Sequence, residues 1–309
     1  MKKNYLIFLL LMFTVCALHS QTKIFYGNNT DGEILSANLD GSNVQVLASG
    51  LSFPEGIDVD ADGGKMYFTD GGTTLNRMNL DGSDQEVLVS GLSSPDGVAI
   101  DFCAQKVYFG ESGTSSISRV NLDGTGLETV VSGPDVQGVE GLAVDGVSGR
   151  VYWVRLASGI ISSVELDGTD LQSFNASNGG PLSLAKEMNT GQIYWTEIDQ
   201  GRIFRANPDG SNIELLLDLG STGGISIDAA GGRMYFEERF VGIRSANLDG
   251  SDLMLLVPHG TAGLDLALDL PNPCTEIVPT MGEWGIIILG LLLLTFSVVF
   301  VRGRAVIYA

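Results

Sequence analysis

Between residues 24 and 269 the chain repeats four apolar pieces in a fixed order. The first alternates and ends on an acid: Gly56-Ile57-Asp58-Val59-Asp60, Gly97-Val98-Ala99-Ile100-Asp101, Gly141-Leu142-Ala143-Val144-Asp145 and Gly224-Ile225-Ser226-Ile227-Asp228. Ser183-Leu184-Ala185-Lys186-Glu187 and Asp265-Leu266-Ala267-Leu268-Asp269 are looser versions. Alternation with period two over four or five residues predicts a strand. The second piece is aromatic, as in Met66-Tyr67-Phe68, Val107-Tyr108-Phe109, Val151-Tyr152-Trp153 and Ile193-Tyr194-Trp195. Adjacent aromatics on a strand face opposite ways, so both faces must be covered. The third piece runs into an Asp-Gly pair, as in Ile34 to Leu39, and the fourth leaves it, as in Val44 to Leu47. Asp-Gly between apolar runs predicts a hairpin, because glycine accepts positive φ without a steric penalty.

Six Asp-Gly pairs mark the period. Their Asp residues are Asp40, Asp81, Asp123, Asp167, Asp209 and Asp249, spaced 41, 42, 44, 42 and 40 apart. A period in the low forties means a stacked array whose units cannot bury their own apolar faces alone. Six four-stranded antiparallel units predict an all-β, six-bladed β-propeller. The chain begins its first unit with the aromatic piece, Ile24-Phe25-Tyr26, and supplies the missing alternating piece at the far end as Leu266-Ala267-Leu268. The last strand is therefore expected to close the ring, which removes an exposed sheet edge.

These residues carry a family resemblance over about residues 24–269. Tyr67-Phe68-Thr69-Asp70 and Tyr194-Trp195-Thr196-Glu197, each followed by an Asp-Gly turn, resemble the LDL-receptor class B repeat, the YWTD propeller. No copy has the full tetrapeptide, and Tyr108-Phe109-Gly110-Glu111 and Tyr152-Trp153-Val154-Arg155 depart further. The resemblance implies the propeller and not a particular receptor ligand. A WD40 array has a similar period, but no regular Gly-His to Trp-Asp pairing occurs here.

Both ends read as addresses. Met1-Lys2-Lys3 and the largely apolar run from Tyr5 to Ala17 have the layout of a secretory signal, placed at residues 1–20. The propeller is assigned to residues 21–270, and a linker with a sorting motif to 271–283. Residues 284–301 form an uncharged apolar run followed by Arg302 and Arg304 in a short basic tail, 302–309. As a helix that run rises about 27 Å, enough to span a hydrocarbon core, with Trp284 at the interface and the arginines on the cytoplasmic side. Val278-Pro279-Thr280-Met281, then Glu283-Trp284-Gly285, resembles the bacterial IPTL C-terminal sorting signal. Val278 and Met281 replace its Ile and Leu, and the basic cluster is thin. The resemblance implies a membrane-embedded processing enzyme as a partner. A plain single-span anchor is the other reading. Either places the body outside the cytoplasm.

Charge narrows the partners. With 17 Lys plus Arg against 37 Asp plus Glu, the net charge is -20. Such a surface repels phosphate, so nucleic acid is excluded as a partner, while cations are compatible. Cys103 and Cys274 are the cysteines outside the signal segment. Sequence fixes no Cα separation, so their bonding stays open.

Two carboxylate groupings stand out. Asp58, Asp60 and Asp62 alternate as in the first half of a calcium loop. The twelfth position would be Thr69 and not Glu, so the full pattern fails. A structural turn is the competing reading. Glu55, Asp96 and Glu140 each precede the glycine of an innermost strand. Radial blades would bring these three to one channel mouth, as a cation site or a seat for a basic side chain. Loop solvation is the bland alternative. Catalysis has little support: His259 is the one histidine outside the signal segment, and no nucleophile motif accompanies it. The expected function is an exported binding or adhesion module for an extracellular protein, peptide or glycan, without a required cofactor. The enzyme alternative is a metal-dependent, gluconolactonase-like hydrolase using Glu55, Asp96 and Glu140.

Overall fold

The computed structural model describes residues 22–176, 179–259, 263, 265–271 and 274. The chain divides into two compact units, 1–273 and 274–309. The first is a six-bladed propeller of four-stranded antiparallel blades. From the inner strand outward, blade 2 is Pro54–Asp60, Lys65–Asp70, Thr74–Asn79 and Glu86–Ser90. Blade 3 is Pro95–Asp101, Lys106–Glu111, Ser116–Asn121 and Glu128–Ser132; blade 4 is Val139–Asp145, Arg150–Arg155, Ile160–Glu165 and Gln172–Asn175. Blade 5 is Pro181–Lys186, Ile193–Glu197, Arg202–Ala206 and Glu214–Asp218; blade 6 is Thr222–Asp228, Arg233–Glu238, Gly242–Asn247 and Met254–Pro258. Blade 1 combines Leu266–Leu268 with Lys23–Asn28, Glu33–Asn38 and Gln45–Ala48. Leu268, Ala267 and Leu266 pair antiparallel with Ile24, Phe25 and Tyr26, so the last strand closes the ring as expected.

The core is six layers between blades, not one centre. Tyr67 packs into the layer between blades 2 and 3, while its neighbour Phe68 packs into the layer between blades 1 and 2. Tyr108 and Phe109, and Tyr152 and Trp153, divide in the same way between successive layers. Every one of these rings is essentially buried. The alternation of a strand thus makes each aromatic pair an anchor between three blades.

The Asp-Gly turns do two jobs. Each Asp carboxylate accepts from the backbone N–H and hydroxyl of the Ser or Thr two residues on, as Asp81 Oδ1 does from Ser83 at 3.0 and 2.5 Å. The same pair of bonds recurs at Asp40, Asp123, Asp167, Asp209 and Asp249, and holds all six carboxyls below the usual carboxylate range. The turn is longer than a two-residue hairpin. It contains a second left-handed position two residues after the glycine, occupied by Asn43, Asp84, Gly126, Asp170, Asn212 and Asp252. Asn and Asp tolerate that conformation better than other side chains. The glycine itself meets the preceding blade: a Cβ on Gly82 (φ +85°) would lie 2.3 Å from Leu47 O.

Three arginines tie blades together at the same turns. Arg77 Nη1 donates to Leu122 O at 2.5 Å, Arg119 Nη1 to Leu166 O at 2.7 Å and Arg205 Nη1 to Leu248 O at 3.2 Å. Each also pairs with an outer-strand glutamate of its own blade: Glu86, Glu128 and Glu214. The strand-end acids cap the next turn, as Asp60 Oδ1 does by accepting from Gly63 N at 2.9 Å and Asp101 Oδ1 from Cys103 N at 2.9 Å.

Cys103 and Cys274 are both disulfide-bonded. Among the described residues no helix is long and apolar enough to cross a membrane. The signal segment, the sorting motif at Pro279, Thr280, Glu283, Trp284 and Gly285, and the apolar run 284–301 lie outside the described residues.

Candidate binding site at the channel mouth

The inner strands ring a narrow channel, and glycine sets how closely they approach. A Cβ on Gly56 would stand 2.4 Å from Asp96 O, and one on Gly97 would stand 2.3 Å from Glu140 O. Any side chain there would push two blades apart, which explains the glycine after each of the three acids. Glu55 sits one residue earlier, inside a β-bulge: Pro54 faces Asp70 and Ile57 faces Phe68, leaving one extra residue on the inner strand. Blades 3 and 4 carry the same shift. Bulges re-aim side chains, and here Glu55, Asp96 and Glu140 all line one cavity with Leu182, Ser183 and Asp265.

Thr69, the threonine of the Tyr67-Phe68-Thr69-Asp70 motif, fixes this bulge. Its Oγ1 accepts from Gly56 N at 2.9 Å and donates to Asp96 O at 2.8 Å, so one buried hydroxyl links blade 2 to blade 3 at the site. Thr196 repeats the arrangement with Ser183 N and Gly223 O. Asp70 holds the approach to the strand by accepting from Phe53 N at 2.8 Å.

The electrostatics are those of crowded acids. Burial, then a hydrogen bond to the Asp96 carboxyl and the charges of Asp96 and Glu140, pushes Glu55 up to about 9. Asp96 is raised by burial, against hydrogen bonds from Glu55 and Ser112. Burial and the Asp96 charge push Glu140 up to about 7. Neighbouring like charges cannot all ionise cheaply, so Glu55 keeps its proton at neutral pH and donates it to Asp96. Asp96 is 9% exposed, and its Oδ2 takes no hydrogen bond from a protein N–H or neutral hydroxyl. The free volume is about 20 Å³, room for one water-sized group.

Two further acids stand on or beside the inner strands: Asp265, which lines the same cavity, and Asp58. Asp265 occupies the position held by Gly56, Gly97, Gly141 and Gly224 in other copies, and that mismatch within the repeat was its available signal. Its Oδ2 accepts from Ile57 N at 3.1 Å, and burial pushes it up to about 7. Asp58 accepts from Ile100 N at 2.8 Å and is pushed up to about 6, again by burial. Both carboxyls are inter-blade struts.

The calcium grouping does not gather. Asp58 turns to the channel and the strand beside it, Asp60 caps its own turn, and Asp62 is exposed. Among the described residues no group of three or more His, Cys, Asp or Glu is placed to hold a metal ion. The competing reading of Asp60 as a turn residue matches its hydrogen bond.

No family model matches the chain, and no curated protein matches it. Its similarity is to solved structures. A chain of the nidogen/laminin complex superposes with a TM-score of 0.73 at 21% identity, covering 81% of this chain and 98% of that one. The shared feature at that identity is the fold, and the six-bladed propeller stands on it and on the blade pairing together.

Proposed function

We propose that the protein is an exported, surface-held binding module whose channel mouth seats the basic tip of a protein partner. The observation that carries this reading is the convergence of Glu55, Asp96 and Glu140 on one small, partly unsatisfied cavity. A lysine ammonium supplies three donors and a positive charge, which is what three crowded carboxyls lack. The surrounding blade edges would then provide the flat contact area. The solved propeller it superposes on belongs to a protein–protein complex, which is in keeping with such a role.

Hydrolysis is less well supported. A substrate pocket holds roughly 300 Å³ or more, whereas this mouth admits about 20 Å³. Calorimetric titration with calcium and a screen of lactone and ester hydrolysis separate the two readings. The expected result is no turnover, with a cell-surface crosslinked partner that is lost in Glu55→Gln/Glu140→Gln. Turnover abolished by either substitution would overturn the binding reading. The address is tested separately, by replacing Pro279, Thr280 and Trp284. Membrane insertion should persist while tail processing stops; an unchanged mature mass would leave a simple anchor.

A further inference from the structure

The six blade junctions are not equivalent, and the difference leaves a cavity of a definite chemical shape. At junctions 2–3, 3–4 and 5–6, an arginine on the third strand reaches the turn carbonyl of the next blade. The position of Arg77, Arg119 and Arg205 is held by serine in the other three blades: Ser36 in blade 1, Ser245 in blade 6 and Ser163 in blade 4. The guanidinium of that blade has moved to Arg150 at the start of the second strand. It bonds within its own blade, to Ser163 Oγ at 3.2 Å and Asp170 Oδ2 at 2.8 Å, and does not cross to blade 5. Beside Ser163 a cavity of about 310 Å³ opens between blades 4 and 5, lined by Tyr152, Ile161, Gln172, Phe174, Pro208 and Asp209, with serine hydroxyls.

The intact junctions say what this space accepts. In them the volume next to the turn contains a guanidinium that donates to a turn carbonyl and a tyrosine hydroxyl, as Arg119 Nη1 does to Leu166 O and Tyr108 Oη at 2.7 and 2.8 Å. The turn aspartate of the next blade feels that charge: Arg77 helps lower Asp123, Arg119 helps lower Asp167 and Arg205 helps lower Asp249. Asp209 is lowered by its Ser211 hydrogen bonds, with no arginine contribution. Pro208 stands in register with Leu122, Leu166 and Leu248, and Tyr152 with Tyr108. The lining therefore keeps the acceptors and the aromatic wall of an arginine slot without the arginine. The fixed charges nearby are already paired: Arg150 with Asp170, and Lys186, over the Tyr152 ring, with Asp145.

We propose that the cleft between blades 4 and 5 binds the guanidinium of an arginine side chain presented by a peptide or protein. The planar fork lies against Asp209 and the turn carbonyl, and the alkyl arm lies along Ile161 and Phe174. This site is separate from the channel mouth and does not depend on the reading of that mouth.

Saturation-transfer NMR on the purified full chain with Nα-acetyl-arginine amide tests the proposal. The expected result is saturable binding, with a dissociation constant on the order of millimolar for so small a probe. The neutral citrulline analogue should show none, and the lysine analogue should bind at least about threefold more weakly, because it lacks the planar fork. Ser163→Arg rebuilds the internal clamp, so it should abolish binding and raise the denaturation midpoint. Asp209→Asn should weaken binding about tenfold while the circular dichroism spectrum stays unchanged. Should Ser163→Arg fail to fold, the Asp209→Asn titration decides. Equal binding by the citrulline analogue, or unaltered binding in the folded variants, would overturn the proposal.

Discussion

If the turn glycines are contacts between blades as well as turn formers, alanine substitutions at left-handed glycines should not cost the same everywhere. Gly64, Gly124 and Gly82 lie at φ +65°, +85° and +85°, so each alanine must adopt a strained backbone. That strain is about 1–2 kcal/mol, reduced by roughly 0.4–1 kcal/mol because alanine also stiffens the unfolded chain. At Gly64 nothing lies within 4 Å of the new Cβ, so Gly64→Ala should cost about 1 kcal/mol, the strain alone. At Gly124 the nearest atom is Leu88 O at 3.2 Å, a tight contact that a small shift relieves. At Gly82 the Cβ would meet Leu47 O at 2.3 Å and the Leu47 carbonyl carbon at 3.0 Å. Both are backbone atoms of a paired strand and cannot swing aside. Relief requires moving the outer strand of blade 1 by most of an ångström, an overpacking penalty of about 1–3 kcal/mol. Gly82→Ala should therefore cost about 3 kcal/mol in total. Urea midpoints at constant m-value read these differences, in the order Gly64→Ala, Gly124→Ala, Gly82→Ala. Equal losses in all three would refute the contact and leave only the left-handed turn.

Three further outcomes follow from the channel and the ring. Glu55, Glu140, Asp265 and Asp58 are raised to about 9, 7, 7 and 6, chiefly by burial, so between about pH 4 and 9 the folded protein holds more protons than the unfolded chain. That contribution to stability is complete below pH 4 and is lost progressively as pH rises from about 4 to about 9; the denaturant midpoint should fall over this window, and Glu55→Gln should flatten its alkaline part. Thr69→Val leaves Gly56 N and Asp96 O unpaired in a buried place, and should cost about 2–4 kcal/mol by equilibrium unfolding. Deleting residues 264–270 removes the partner of Ile24, Phe25 and Tyr26, so the single cooperative unfolding transition, followed by circular dichroism, should disappear.

Most of the architecture was legible because each blade repeats the same local chemistry. Period-two alternation, paired aromatics and Asp-Gly turns agree six times over, and agreement between local and global preference specifies a fold. The exchange of the first and last strands could be read from chain phase alone. Contacts between repeats were hidden. Nothing in the spacing of Leu80-Asp81-Gly82 shows that Gly82 faces Leu47, or that Arg77 reaches Leu122 O. Such partners lie one whole period away, where a sequence pattern gives neighbours but not distances.

The acids show the same division in a sharper form. Asp81 read as a turn residue because its partner lies two residues on and the bonding geometry is local, and Asp60, offered as a calcium candidate with a turn as the competing reading, bonds three residues on in the same local way. Glu55, Asp96 and Glu140 could be placed together only by assuming radial blades, and the closed ring supplies that arrangement. Asp58 was grouped with Asp60 and Asp62 by spacing, yet its hydrogen bond goes to Ile100 in the next blade, and Asp265 reaches Ile57 across the closure. A carboxylate in this propeller is thus decided by its place on the blade. On an outer turn, or at the last residue of an inner strand such as Asp60 or Asp101, it serves its own backbone. Elsewhere along the inner strands, water is scarce and the nearest groups belong to other blades, so the carboxyl takes up a proton or bonds across the junction. Glu55 does the first and Asp58 and Asp265 the second, while Asp96 lines the 20 Å³ cavity beside the protonated Glu55.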